Sequence, residues 1–581
     1  MLTFSDYMTD MPDNPHQNFA QMLEQVSKDY PARDAILYRP GGQKDFTRWN
    51  YAKYGEECRR VARGLLASGL AKGDRVVLWS ENRPEWMAVW MGAVIAGLSI
   101  VPVDFLVSEK DCLNIIKITR AKAFFYSRTK RDFAGSLSGE GLKISANVCI
   151  SPQEDGGEAE FYGFGKDAAS TALPSPDSIP ADHPASIVFT SGTTGVAKGV
   201  TLSHKNIIAN ASAAVRILEP VETDVFIDIL PLHHTYPTTC CFIAPISIGI
   251  PTVIVEKTLG DVIRADARDA GVTFFIGVPL LFDKFMIGAE KKLTGLKKLI
   301  LGPARKKALA LAKQGNPKYG QNHSLLKKVR TKFDLTSVRM MVAGGGPLNP
   351  KTADFFDSLG FNIVQGYGMS ENAPLISVNT PRQKRNESVG LPVIHTKLKI
   401  LDPNAEGIGE IACTSPSVMI GYFENEAATS EVIKEMDGER WLLTGDLGKI
   451  DEKGFLHIMG RKKNLIVTSA GKNIYPEEIE VLFSSRVISE ILVVGRKAKD
   501  GSGESIFAVV VPNYDNIKED YPGKENNEAF IRAEVKKLVE NANRGLPLYK
   551  KIGDFTLRKE PFEKNAQQKI KRFLYKEYEN A

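Results

Sequence analysis

The sequence predicts an α/β protein. A large N-terminal domain on mainly parallel sheet, with a small β-rich part, is followed by a small α/β C-terminal domain. Three observations predict this. Short β-branched runs alternate with helical segments through about the first 400 residues, the pattern of βαβ units. From Lys397 to Gly460 the pattern is mostly β, with turns at Asp402-Pro403-Asn404 and Asp451–Gly454. A separate α/β unit begins near residue 464 and runs to the end. The 581 residues are 43% hydrophobic and 25% charged, ordinary globular usage that excludes intrinsic disorder and coiled coil.

The elements follow in order. Arg75-Val-Val-Leu-Trp-Ser80 reads as a strand. Pro84 opens a helix where its missing N–H is harmless. Trp86–Val103 is nearly long enough for a membrane span, but Gly97 interrupts it and Ser99–Val103 is β-rich. A buried helix followed by a buried strand is the expected arrangement. A helix near Ser108–Thr119 and a strand at Lys122–Ser127 continue the alternation. Residues 151–184, rich in Gly, Pro, Ser and acidic side chains, predict a long surface loop. Ala185–Thr190 is a strand, and a helix follows at about His204–Leu218.

Six cysteines show no C-x-x-C spacing, which points to reduced, buried thiols in a cytosolic protein. Cys240 and Cys241 sit in an apolar run and are expected in the core. The N-terminal residues lack a basic stretch followed by an apolar one, so no secretory signal is expected. Charge is uneven. Residues 284–332 hold fourteen Lys/Arg and one acidic residue, a balance of +13 in a chain of +6, leaving −7 elsewhere. This segment is either a solvated helical insertion or a surface facing an anionic membrane or phosphorylated partner.

Between the strand and helix lies Thr190-Ser-Gly-Thr-Thr-Gly-Val-Ala-Lys-Gly199. Its small residues let backbone N–H groups approach phosphate oxygens, its hydroxyls add donors, and Lys198 supplies charge. Ala197 and Gly199 break the Walker A pattern, so a P-loop kinase or ATPase is not expected.

The sequence resembles the adenylate-forming superfamily of acyl-CoA synthetases, luciferases and peptide-synthetase adenylation domains. The resemblance rests on residues 190–199, Gly366-Tyr-Gly-Met-Ser-Glu371, Thr444-Gly-Asp446, Gly460-Arg461 and Lys569, in the family's order, and covers about residues 30–575. Gly366–Asn379 and Thr468-Ser-Ala-Gly-Lys-Asn-Ile474 resemble the long-chain fatty acyl-CoA synthetase branch. This implies stacked sheets in an N-terminal adenylation domain, 1–460, a hinge at 461–463 and a mobile C-terminal lid, 464–581.

The resemblance also implies the roles. Thr190, Ser191, Gly192, Thr193, Thr194, Gly195 and Lys198 would hold the β- and γ-phosphates of ATP, and Thr190 with Glu371 would bind Mg²⁺. Gly344, Gly345 and Gly346 would let backbone lie against adenine, Tyr367 would stack on it, and Gly366, Gly368 and Ser370 belong to the same nucleotide-binding motif. Asp446 and Arg461 would contact the ribose. His234, which aligns better than His233, would border the acyl carboxylate. Lys569 would serve adenylation, and after rotation Gly471 and Lys472 would help form the coenzyme A channel. Gln568 stands where the family often has Gly.

The expected activity is ATP-dependent ligation of a medium- or long-chain fatty acid to coenzyme A through an acyl-adenylate. A carrier-protein acceptor, an aryl acid substrate and a non-catalytic binding protein are the alternatives. The expected location is cytoplasmic with peripheral membrane contact through 284–332, and no nucleic-acid partner is expected.

Overall fold

The computed structural model describes residues 16–41, 43–152, 160–190, 197–293, 296–467, 472–483, 485–497, 504–564 and 570–580. Two large sheets dominate them. The nine-stranded sheet runs Leu391–Pro392, Leu375–Val378, Ile363–Gly368, Met340–Ala343, Phe274–Gly277, Phe226–Asp228, Thr252–Ile254, Asp34–Tyr38, Thr47–Asn50. Its centre is parallel and its outer pairs antiparallel. The seven-stranded sheet runs Gly421–Tyr422, Lys198–Ser203, Pro184–Thr190, Ser99–Pro102, Arg75–Trp79, Ala123–Tyr126, Ala146–Cys149. It is parallel except at its first two pairings.

One continuous core joins the two sheets. Ile36 and Ile254 of the first sheet and Val76, Ile100 and Phe125 of the second share it with helices Tyr51–Ala67, Pro84–Ile95 and His204–Leu218. Every residue of Pro84–Ile95 is buried, including Trp86 and Trp90, which explains why this run is apolar all round except at Glu85, which pairs with Arg83. Among the described residues no helix is long and apolar enough to cross a membrane. All six cysteines are buried and unpaired by disulfide.

One element was not expected, and one expectation needs correction. The helix expected at about His204–Leu218 is present, but a strand, Lys198–Ser203, precedes it. It pairs antiparallel with Pro184–Thr190, with Thr190 opposite Lys198. It is buried on both faces after Lys198, so no polar alternation betrays it. Helix His204–Leu218 then begins at a capping box between Ser203 and Asn206. The segment 151–184 is not simply a surface loop. Its described part forms short helical turns at Glu160–Gly163, Lys166–Ala168 and Pro176–Ser178. Phe161 is fully buried, and Arg60 donates to its carbonyl at 2.7 Å.

Strands Lys397–Leu401, Gly409–Thr414, Ile433–Met436, Glu439–Ile450 and Leu456–Arg461 form an antiparallel sheet. Beyond it, Ile488–Lys497, Glu504–Pro512 and Asp554–Leu557 form a three-stranded sheet. Val493, Ala508, Val510 and Val535 fill its own core. Tyr475 packs instead with Ile408 and Leu447 of the preceding sheet, joining the two parts.

Candidate active site

Adjacent strands place Asp446 opposite Arg461 in register, which brings the carboxylate and guanidinium together. Arg461 Nε lies 2.8 Å from Asp446 Oδ1, and the Tyr367 hydroxyl donates to Oδ2 at 2.6 Å. The Thr444 hydroxyl accepts from the Asp446 N–H at 3.1 Å and donates to the Ile411 carbonyl at 2.8 Å, fixing the turn. Burial and the neighbouring Asp446 push the Tyr367 phenol well above its ordinary value, so it stays a donor. Burial opposes the Arg461 charge, but Asp446, Tyr367 and Glu371 outweigh it and raise the pKa. Asp446 is thus an acceptor held in one orientation, with a guanidinium on one oxygen and a phenol on the other.

Glu371 lies on a short turn after strand Ile363–Gly368. The Tyr422 hydroxyl donates to its Oε1 at 2.7 Å. Lys198 Nζ sits 5.0 Å from the Tyr422 ring centroid, and Thr190 Oγ1 is 3.5 Å from the Lys198 carbonyl oxygen. Lys198 and Glu371 are therefore linked through Tyr422, and Thr190 lies beside Lys198 on the neighbouring strand. The carboxylate of Glu371 and the hydroxyl of Thr190 are oxygen donors, the chemistry that suits Mg²⁺, which takes one or two carboxylates from a protein. Among the described residues no cluster of three His, Cys, Asp or Glu side chains forms an all-protein metal cage.

Strand Met340–Ala343 ends in Gly344–Gly346. A Cβ on Gly344 would meet the Tyr236 ring at 2.7 Å, and Gly345 has φ of +82°, so both positions favour glycine. A Cβ on Gly368 would lie 2.0 Å from the Pro374 carbonyl oxygen. The histidine segment is stitched to the same turn, with Thr235 and Ser370 hydroxyls 3.2 Å apart and the Thr239 hydroxyl donating to the Ala373 carbonyl at 2.8 Å. His234 is half-buried at this join, its ring 4.0 Å from that of the more deeply buried His233. Burial, then His234, hold the His233 pKa well below the ordinary value, so it is neutral beside Asp104.

The structure therefore brings together Thr190, Lys198, Glu371, Tyr367, Ser370, Asp446, Arg461 and the His234 segment. Gly366 and Gly368 border Tyr367 on one strand, and Lys472 is exposed on the C-terminal part. Ser191, Gly192, Thr193, Thr194, Gly195, Gly471 and Lys569 lie outside the described residues.

Sequence reasoning missed Tyr422, Asn82 and Asp228. Asn82 Nδ2 donates to Asp228 Oδ2 at 2.8 Å and to the Leu230 carbonyl at 2.6 Å, while its Oδ1 accepts from the Leu232 N–H at 2.9 Å. This clamp fixes the chain just before His233. Burial pushes the Asp228 carboxyl up to about 8.

A family model described as AMP-binding enzyme matches residues 23–423. The long-chain-fatty-acid–CoA ligase ACSBG2 of Homo sapiens is 30% identical over 473 residues, covering 78% of this chain and 71% of that protein. The crystal structure of anthranilate CoA ligase AuaEII with anthranoyl-AMP shares the fold, with a TM-score of 0.76, 21% identity and 99% of both chains covered. So does Bacillus subtilis o-succinylbenzoate coenzyme A synthetase (MenE) with ATP and magnesium ion, at 0.71, 22%, 96% of this chain and 99% of that one. With the family model spanning most of its length and the site residues gathered on that fold, the chain belongs to the AMP-binding enzyme family.

Proposed function

We propose that the protein is an ATP-dependent fatty acyl-CoA ligase acting on medium- or long-chain acids. The Asp446–Arg461–Tyr367 constellation is the observation that carries this reading, since it presents an oriented carboxylate suited to a ribose diol. The similarity to the human long-chain ligase supports the substrate class. A carboxylate oxygen attacks the α-phosphorus of ATP, and pyrophosphate leaves. The thiol of coenzyme A then attacks the acyl carbonyl, and AMP departs with the carboxylate oxygen.

In this reading Asp446 and Arg461 hold the ribose, the Gly344–Gly346 backbone lies against adenine, and Tyr367 forms one wall. Lys198, Thr190 and the loop between them hold the outgoing pyrophosphate. Glu371 and Thr190 hold Mg²⁺, whose chemistry when bound is to offset phosphate charge. His234 borders the acyl carboxylate. Lys569 stabilises charge at the α-phosphate, and the C-terminal part, turning about 461–463, then brings Gly471 and Lys472 to the thiol.

The protein would work in the cytoplasm and touch anionic membranes. Residues 284–332 lie largely in helices Pro279–Lys292, Leu296–Lys313, Lys318–Asn322 and Ser324–Lys332. Arg330 is a buried structural residue that donates to the Gly320 and Leu359 carbonyls, and Lys291 and Lys313 face carboxylates. Leu299 and Ile300 are 74% and 56% exposed on a helix that also exposes Lys306 and Lys307. Apolar side chains beside lysines suit an anionic interface, each lysine contributing about 1 kcal/mol. Sedimentation with anionic vesicles at low and high salt tests this. A Lys306→Gln/Lys307→Gln/Leu299→Ser variant that binds like wild type would refute it.

A panel of fatty and aryl acids assayed for AMP formation, with coenzyme A or a carrier protein as acceptor, tests the activity. Turnover with C8–C18 acids and coenzyme A is expected. Turnover with aryl acids alone, or with a carrier protein alone, would replace the reading.

A further inference from the structure

Tyr422 belongs to no motif that the nucleotide constellation uses, yet it stands between its two phosphate-side charges. Its strand, Gly421–Tyr422, pairs antiparallel with Lys198–Ser203, so that Tyr422 lies opposite Val200 and Gly421 opposite Thr201. Flanking bonds lock this register. Phe423 N–H donates to the Gly199 carbonyl at 2.7 Å and Ile420 N–H to the Thr201 carbonyl at 2.9 Å. The Tyr422 N–H itself donates to Thr429 Oγ1 at 2.8 Å. The same segment grips Glu371 twice: Met419 N–H donates to its backbone carbonyl at 2.8 Å, and the Tyr422 hydroxyl to its carboxylate at 2.7 Å. Tyr422 is 9% exposed, and its ring carries Lys198 Nζ 5.0 Å from the centroid.

We infer that Tyr422 is a positioning residue that sets the Glu371 carboxylate for a divalent cation with its hydroxyl and seats the Lys198 ammonium with its ring face. The inference rests on the reading of Glu371 as the cation ligand. The strand pairing is what makes the device work. It fixes Tyr422 to the strand that follows the glycine-rich turn, so the carboxylate and the lysine keep one spacing. A hydrogen bond to a charged acceptor is worth more than a neutral one, and it occupies one carboxylate oxygen while leaving the other for the cation. The ring attracts the lysine as a cation over an aromatic face. The Lys198–Glu431 approach of 3.9 Å ends on a 73% exposed carboxylate and competes weakly.

Two substitutions separate the functions of ring and hydroxyl. Tyr422→Phe keeps the ring and its packing and removes the donor. Tyr422→Leu removes both. Mn²⁺ binding to the full-length enzyme with ATP is followed by electron paramagnetic resonance. ATP binding in the presence of chelator is followed by calorimetry, and melting temperature checks the fold. Tyr422→Phe should weaken Mn²⁺ binding about tenfold and leave metal-free ATP binding within about twofold of wild type. Tyr422→Leu should weaken both. Glu371→Gln should weaken Mn²⁺ binding at least as much as Tyr422→Phe. If Glu371→Gln weakens Mn²⁺ binding while Tyr422→Phe matches wild type, the positioning role is wrong and the ligand reading stands. If Glu371→Gln also matches wild type, both fall. Equal loss of metal-free ATP binding in the Phe and Leu variants would overturn the role given to the ring.

Discussion

Tyr367 and Arg461 approach Asp446 from two sides, the hydroxyl at 2.6 Å from Oδ2 and the guanidinium at 2.8 Å from Oδ1. The carboxylate is 8% exposed, so few orientations are open to it. A hydrogen bond to a charged group contributes about 1.5–3 kcal/mol. Asp446→Ala should therefore raise the ATP KM about tenfold or more in pyrophosphate exchange. Tyr367→Phe should raise it less, because Arg461 still orients the acid. A normal KM in Asp446→Ala would remove ribose binding from this residue.

Gly344→Ala tests the close approach of backbone to Tyr236. The new methyl would lie 2.7 Å from the ring. Overpacking of this kind costs about 1–3 kcal/mol. A lowered melting temperature is expected, with part of the loss recovered in Gly344→Ala/Tyr236→Leu relative to Tyr236→Leu alone. Additive losses would show that the two residues do not meet.

Asp228 gives stability a pH dependence of known sign. Burial raises its carboxyl from the ordinary 3.8 to about 8, so the folded protein holds a proton that the unfolded chain releases. Its contribution is complete below about pH 4 and is lost as pH rises toward about 8. The stability of wild type relative to Asp228→Asn should fall across that window, measured by urea unfolding at several pH values. A constant difference would show that Asp228 does not titrate there.

Lys384 and Asp357 form a buried pair, 1% and 0% exposed, with Nζ 2.5 Å from Oδ1. Lys384 also donates to Asn362 Oδ1 at 3.0 Å and to the Ile363 carbonyl at 3.1 Å, holding the start of the strand that carries Tyr367. Removing one member of such a pair costs about 3–5 kcal/mol. Lys384→Met should lose stability on that scale, and a loss below about 1 kcal/mol would count against the pair as an anchor.

Local pattern carried much of this. Pro84 at the first helical position, the strand at Arg75–Trp79 and the alternation of apolar segments were readable because each depends on near neighbours. Asp446, Arg461 and Glu371 were legible through motif resemblance, and the structure assembles them. The strand Lys198–Ser203 was not legible because burial on both faces erases its period. Tyr422 and Asn82 were missed for a different reason. Their partners, Glu371 and Asp228, lie 51 and 146 residues away, and nothing local marks such pairings.

Lys569 should matter in one half-reaction. Losing one preorganised donor costs about 10²–10³ in rate. Lys569→Ala should lose most adenylation yet use synthetic acyl-adenylate and coenzyme A nearly as wild type does, whereas Gly471→Leu should do the reverse. Equal loss of both steps in a folded Lys569→Ala enzyme would contradict alternation of the C-terminal part.

The central claim is that a fatty carboxylate is activated by joining the α-phosphate of ATP. The most direct measurement follows oxygen. Palmitate labelled with ¹⁸O in its carboxylate is turned over with ATP and coenzyme A, and the nucleotide and phosphate products are analysed by mass spectrometry. The account predicts one labelled oxygen in AMP and none in pyrophosphate. Label in inorganic phosphate with ADP as the nucleotide product, or AMP without label, would contradict it.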